Sequence, residues 1–331
     1  MNGSGYNQNQ FFHEQNNFFR LVSQAKKDIR CHAIRLGICI LIFLSAPYVF
    51  SVGLQLTGLY NRYMEDFTLQ YSSEMLLMVV FLFIPFFTVY LFAPKKDKKT
   101  IALSFEKPRS SLAFLLAIPF GLMLCFAGDY ISSLIASIFE EMGITLTSVP
   151  DYKVPTSGKE LFLYAFATIV PPAIIEEFTM RGVAMQPLRK YGDKFAIVMT
   201  ALVFGLMHRN AVQGIFAFIA GLIFGYITIS SNSVWPAVVI HALNNGFAVL
   251  VNVMMQTDEE AANKIYALVI SVILVFGIFS AIMFFVIGKR NKLTNPAPWL
   301  PLKEKSSAFF FNIPMIISFV VMILYTVFGD L

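Results

Sequence analysis

Residues 160–183 read ELFLYAFATIVPPAIIEEFTMRGV. Most of the stretch is apolar, and as a helix rising 1.5 Å per residue it is long enough to cross a ~30 Å hydrocarbon core. Yet it carries two adjacent carboxylates, Glu176 and Glu177, and then Arg181, all behind the pair Pro171-Pro172. Ionisable groups at membrane depth are costly and by default suggest function. One stretch therefore predicts both the solvent, a bilayer, and a chemistry inside it.

The rest of the chain agrees. Of 331 residues, 57% are hydrophobic and only 14% charged, with a mean hydropathy of +0.67. A soluble domain is nearer a quarter charged. This excludes a disordered chain, a basic nucleic-acid-binding domain and an ordinary cytosolic enzyme. Cys31, Cys39 and Cys125 are odd in number and form no CxxC pair, which argues against a disulfide framework or a thiolate metal site. The reading is all-α: a polytopic transmembrane helical bundle of about eight to nine spans. They are placed near 36–57, 75–93, 111–138, 160–183, 195–208, 212–230, 234–255, 265–288 and 307–328. The fifth is short, at ~21 Å, so it is tilted or ends inside the bilayer with protein around it.

Residues 1–17 are rich in Asn and Gln and do not read as a signal peptide. Phe11, Phe18, Val22, Ala25 and Ile29 then recur at roughly helical spacing, with Lys26, Lys27 and Arg30 between them. That pattern fits an amphipathic helix on the inner membrane surface. Residues 1–32 are thus a cytoplasmic tail and 33–331 the membrane domain.

Basic loops alternate with acidic ones. Lys26, Lys27, Arg30 and Arg35 precede the first span, and Lys95, Lys96, Lys98, Lys99, Lys107 and Arg109 follow the second. Arg189, Lys190 and Lys194 follow the fourth, and Lys289, Arg290, Lys292, Lys303 and Lys305 the eighth. Between these lie Glu65, Asp66 and Glu74, then Glu140, Glu141, Asp151 and Glu160, then Asp258, Glu259 and Glu260. The positive-inside rule puts the N-terminus in the cytoplasm and, with nine spans, the C-terminus outside.

Three apolar segments hold polar groups. Glu177 and Arg181, four apart, share a helix face and can pair. Glu176 points about 100° away and has no counter-charge of its own, a setting that suits a general base. Phe204 lies one turn below His208 and supports its ring. His241 and Asn245 share a face on a third segment. The prolines should break the helix just before the carboxylates. Asp129, in the third span, reads as a water-facing or paired structural residue. Each of the other groups alone has a packing explanation; a carboxylate pair, two histidines and an asparagine on successive deep segments do not.

These segments resemble the CAAX protease and bacteriocin-processing family of intramembrane proteases, also called the Abi family. Its EExxxR, FxxxH and HxxxN motifs read here Glu176-Glu177-x-x-x-Arg181, Phe204-x-x-x-His208 and His241-x-x-x-Asn245. The likeness covers about 110–290, the expected protease core. It implies an endopeptidase in which Glu176 activates water with His208 as partner, and His241 and Asn245 donate to the oxyanion. A metal-free, glutamate-type site is favoured. The alternative is zinc, held by Glu176, His208 and His241. A presenilin-type aspartyl pair and a rhomboid-type GxSxG are absent. A catalytically idle regulator or chaperone of the same fold and a proton-coupled transporter are the other classes, although the halves show no internal symmetry. The implied partners are the lipid bilayer and a hydrophobic peptide or membrane-anchored protein, with no nucleic acid. No ER-retention tail or organelle signal is visible, which points to a bacterial cytoplasmic membrane.

In a background without the native cysteines, a cysteine placed at Lys95–Lys99 should label from the cytoplasmic side and one at Asp258–Glu260 from the other. Labelling of both from one side would overturn the orientation.

Overall fold

The computed structural model describes residues 8–144, 146, 154, 155, 157–287 and 290–328, and every regular element among them is helical. Asp151 and Lys289, used in the charge reading, lie outside the described residues. The helices are α1 (Gln8–Thr57), α2 (Tyr60–Glu65), α3 (Phe67–Leu77), α4 (Ile84–Leu91), α5 (Lys95–Ser104), α6 (Ser111–Glu141) and α7 (Gly158–Glu177), then α8 (Asp193–Met207), α9 (Ala211–Ser231), α10 (Trp235–Thr257), α11 (Glu259–Val286), α12 (Leu302–Phe310) and α13 (Ile313–Phe328). Two π-helical segments, Met78–Phe83 and Phe178–Ala184, join α3 to α4 and extend α7, and a 3₁₀ turn covers Gln186–Tyr191.

Seven helical stretches are long and apolar enough to cross a membrane, and α12 with α13, bent by 81°, makes an eighth if counted as one span. The polytopic bundle stands, but nine separate crossings do not. The expected fifth span is α8, whose 15 residues reach only ~22 Å. It survives at that length because protein surrounds it: Ala196, Val203 and Phe204 are buried. The expected ninth span is broken. Asn312 makes the corner, donating from Nδ2 to the Phe309 carbonyl at 2.8 Å and accepting from the Met315 N–H at 3.2 Å.

The amphipathic segment and the first span are a single helix, α1. Its apolar face packs on protein: Ile29 and Ala33 are fully buried, and Lys26 pairs with Glu304 of α12. Lys305, read as a loop charge, is buried, its Nζ donating to the Tyr191 carbonyl and to Asn295 Oδ1. Helix α13 lies along α1, where the Ser318 hydroxyl donates to the Gly37 carbonyl at 3.0 Å.

Between α8 and α9 the packing is close enough to exclude side chains. A Cβ on Gly205 would sit 2.7 Å from the Gly214 carbonyl oxygen, and one on Gly221 would sit 2.9 Å from the Ala201 Cα. Lipid tails are as apolar as leucine, so helices in a bilayer gain mainly from such close contact. This hairpin fixes His208, three residues beyond Gly205.

Gly205→Ala should therefore force backbone apart and cost about 1–3 kcal/mol. Gly53→Ala, with nothing within 4 Å of the added Cβ, should be neutral or stabilising. Thermal midpoints of the two purified variants check this; equal midpoints would refute the close-packing account.

Candidate active site

Glu177 and Arg181 sit at the centre of the bundle, 0% and 1% exposed. Glu177 closes α7 and Arg181 lies in the π-helical segment that follows. Arg181 Nη1 approaches Glu177 Oε1 at 3.0 Å, without the alignment of a hydrogen bond. The guanidinium is instead held by charge and by rings: it lies 4.5 Å from the Phe204 centroid and 5.1 Å from that of Phe224. Glu177 Oε1 also accepts from His241 Nδ1 at 3.1 Å. One carboxylate thus ties α7 and its π-helical extension to α10.

The expected helix break lies elsewhere. Helix α7 runs through Pro171 and Pro172 to Glu177, and the irregular turn comes after the carboxylates. Pro172 has no N–H to give the Thr168 carbonyl. Asn245 supplies the missing donor from α10, its Nδ2 bonding the Thr168 oxygen at 3.1 Å. A donor from a neighbouring helix keeps α7 whole. One of the two amide hydrogens of Asn245 is therefore engaged in packing.

Phe204 serves both neighbours. Its face meets Arg181, and its ring meets that of His208 edge-on at 4.9 Å. The Phe204 carbonyl lies 2.8 Å from His208 Nδ1. A carbonyl only accepts, so Nδ1 carries the proton and Nε2 the lone pair. Glu177, as a carboxylate, fixes His241 in the same sense. His241 Nε2 then lies 3.9 Å from Glu176 Oε2.

Glu176 and His208 line one cavity of about 220 Å³. Thr179, Arg209 and Gln213 complete its polar lining, and Met180, Met207, Phe43 and Leu82 are among its apolar walls. Phe43 comes from α1 and Leu82 from the first π-helical segment. Segments outside the expected core of 110–290 therefore help to enclose the site. Asp129 is exposed on α6, and neither it nor His241 or Asn245 is among the residues that line the cavity.

Sequence reasoning missed Phe224, Arg209 and the two wall residues. A Phe, Leu or Arg in or beside an apolar span carries no mark of its own. The Thr168 carbonyl was readable in principle, since Pro172 four residues on must orphan it. Among the described residues, no group of three or more His, Cys, Asp or Glu side chains is gathered as it would be around a bound metal ion.

Residues 158–247 match the family model of Type II CAAX prenyl endopeptidase Rce1-like proteins. The matched segment runs from the start of α7 into α10 and holds Glu176, Glu177, Arg181, Phe204, His208, His241 and Asn245. That match supports an intramembrane CAAX-protease-type fold over the matched residues, and the apolar helices support a multi-pass membrane protein. No curated protein and no solved structure matches the chain.

Asn245→Ala should orphan the Thr168 carbonyl and lower stability by about 1–3 kcal/mol. Pro172→Ala added to it restores a backbone N–H to that carbonyl and should recover the melting temperature. If turnover stays low in the stable double variant, Asn245 also contacts the reacting atoms; if turnover recovers too, its role is the helix contact alone.

Proposed function

We propose that the chain is an intramembrane endopeptidase that cuts a hydrophobic peptide or membrane-anchored protein by direct attack of water. The observation that carries this reading is the cavity shared by Glu176 and His208, lined by both polar and apolar side chains. Water held between the Glu176 carboxylate and the lone pair of His208 Nε2 is oriented by both. Glu176 takes its proton as the oxygen attacks the peptide carbonyl, and passes that proton to the leaving amine.

Negative charge then develops on the carbonyl oxygen and needs donors already in place. The second amide hydrogen of Asn245 is one. His241 is another when its ring carries both protons, because Nδ1–H is engaged by Glu177 and only a protonated Nε2 can donate. The buried ion pair contacts no reacting atom in this scheme. It fixes His241, and through Phe204 the ring of His208. The apolar wall of Phe43, Leu82, Met180 and Met207 receives an apolar substrate side chain beside the scissile bond, which suits a substrate delivered from lipid.

Glu176→Gln should lower turnover by at least about 100-fold, in line with loss of a positioned base, and leave the melting temperature unchanged. Glu177→Gln should instead cost about 3–5 kcal/mol of stability, because it leaves Arg181 buried without its carboxylate. Wild-type turnover in Glu176→Gln would overturn the assignment of the base. Metal analysis of the purified protein separates the two catalytic types. One zinc per chain, lost with activity in chelator and restored with metal, would make Glu176, His208 and His241 ligands and end the metal-free reading.

A further inference from the structure

Arg209 has no part in the scheme above, yet it lines the same cavity as Glu176 and His208. It directly follows His208, at the junction of α8 and α9, with φ of 56°. A positive φ is uncommon for a residue with a Cβ and tends to cluster at functional sites. Its backbone N–H bonds the Leu206 carbonyl at 3.2 Å, so the turn that caps α8 also fixes where the arginine starts.

Buried Arg181 has Glu177, and half-buried Arg189 has Asp193. No carboxylate among the described residues pairs with Arg209, whose guanidinium lies 5.7 Å from the centre of the Tyr325 ring. Beside it stand Gln213, another lining residue, and the first turn of the 21-residue helix α9. That helix end adds partial positive charge on the same side. An arginine with an aromatic ring on one side and no carboxylate partner, in a cavity with a peptide-sized apolar wall, is suited to a planar anion.

The geometry points to an anion subsite, built on Arg209 with Gln213, that takes a carboxylate of the substrate within a few residues of the scissile bond. The subsite belongs to the cavity assigned above to peptide cleavage and rests on that reading for its substrate. Its ligand chemistry is carboxylate, from the chain end or from an Asp or Glu side chain. A lipid phosphate is the competing source of anion.

The test measures binding on the full-length Glu176→Gln protein, so that it does not depend on hydrolysis. The probes are fluorescent leucine-rich peptides made as free acids, as C-terminal amides, and as amides carrying one internal aspartate. The protein sits in phosphatidylcholine nanodiscs. At least one carboxylate-bearing peptide should bind about tenfold or more tightly than the neutral amide, the scale of a charge-assisted contact. Which peptide does so identifies a chain-end or side-chain carboxylate. Arg209→Asn, whose side chain tolerates the same φ, should erase the difference, and Arg209→Lys should keep part of it. Melting temperatures confirm that both variants fold.

Equal binding of all three peptides overturns the subsite, as does a preference that survives Arg209→Asn. Loss of the preference when phosphatidylglycerol replaces phosphatidylcholine would assign the arginine to lipid headgroups, which also overturns it. Cleavage by the protein with Glu176 intact is scored separately. A carboxylate preference in binding with no cleavage of any peptide would leave the subsite standing and remove the proteolytic reading.

Discussion

The interaction on which the rest depends is the buried contact of Glu177 with Arg181. Two charges taken out of water cost several kcal/mol each, and their attraction offsets this only with further favourable contacts. Here the partners are unusual. The guanidinium gains little from hydrogen bonds and much from the faces of Phe204 and Phe224. The carboxylate gains a donor from His241. Removing any of these leaves a charge with less compensation in a low-dielectric core. The pair therefore constrains five segments at once: the end of α7, the π-helical turn after it, α8 through Phe204, α9 through Phe224 and α10 through His241.

That constraint explains why adjacent glutamates do different work. Glu177 faces the protein interior and is fully buried, while Glu176, one residue earlier on the helix, faces the cavity. A helix turns about 100° per residue, so of two neighbouring carboxylates one can be fixed in the interior while the other faces the cavity. The widened turn after Glu177 then carries Arg181 beneath Phe204. π-Helical turns recur at functional sites because they re-aim side chains without ending the helix.

Legibility followed the range of each interaction. The membrane class, the helical fold and the pairing of Glu177 with Arg181 depend on composition or on contacts within one turn, and these were readable. So was the phase difference between Glu176 and Glu177. The fate of the proline pair was not, because it turns on Asn245, a residue on another helix and far along the chain. A packing role for Asn245 was readable as one of its possibilities, but not its partner, the carbonyl that Pro172 orphans. The short α8 was visible in its length, but that it stops within surrounding protein depends on α9 packing at Gly205 and Gly221. Phe43 and Leu82 were least readable of all. Nothing in an isolated apolar span says which side chain will close a cavity three helices away.

The two histidines show how the same local device yields two settings. Each ring is oriented through Nδ1, which turns Nε2 into the reactive position. For His208 the anchor is a neutral carbonyl in its own helix, so the ring is held without added charge and Nε2 remains an acceptor for water. For His241 the anchor is a carboxylate, and a second carboxylate lies 3.9 Å from Nε2. The anchoring groups, and not the imidazoles themselves, therefore set the two rings apart, and in the proposed scheme that difference makes one an acceptor for water and the other a donor for developing negative charge. Both anchors are set by the helices around the buried ion pair, so a contact that lines no cavity fixes the orientation of both rings.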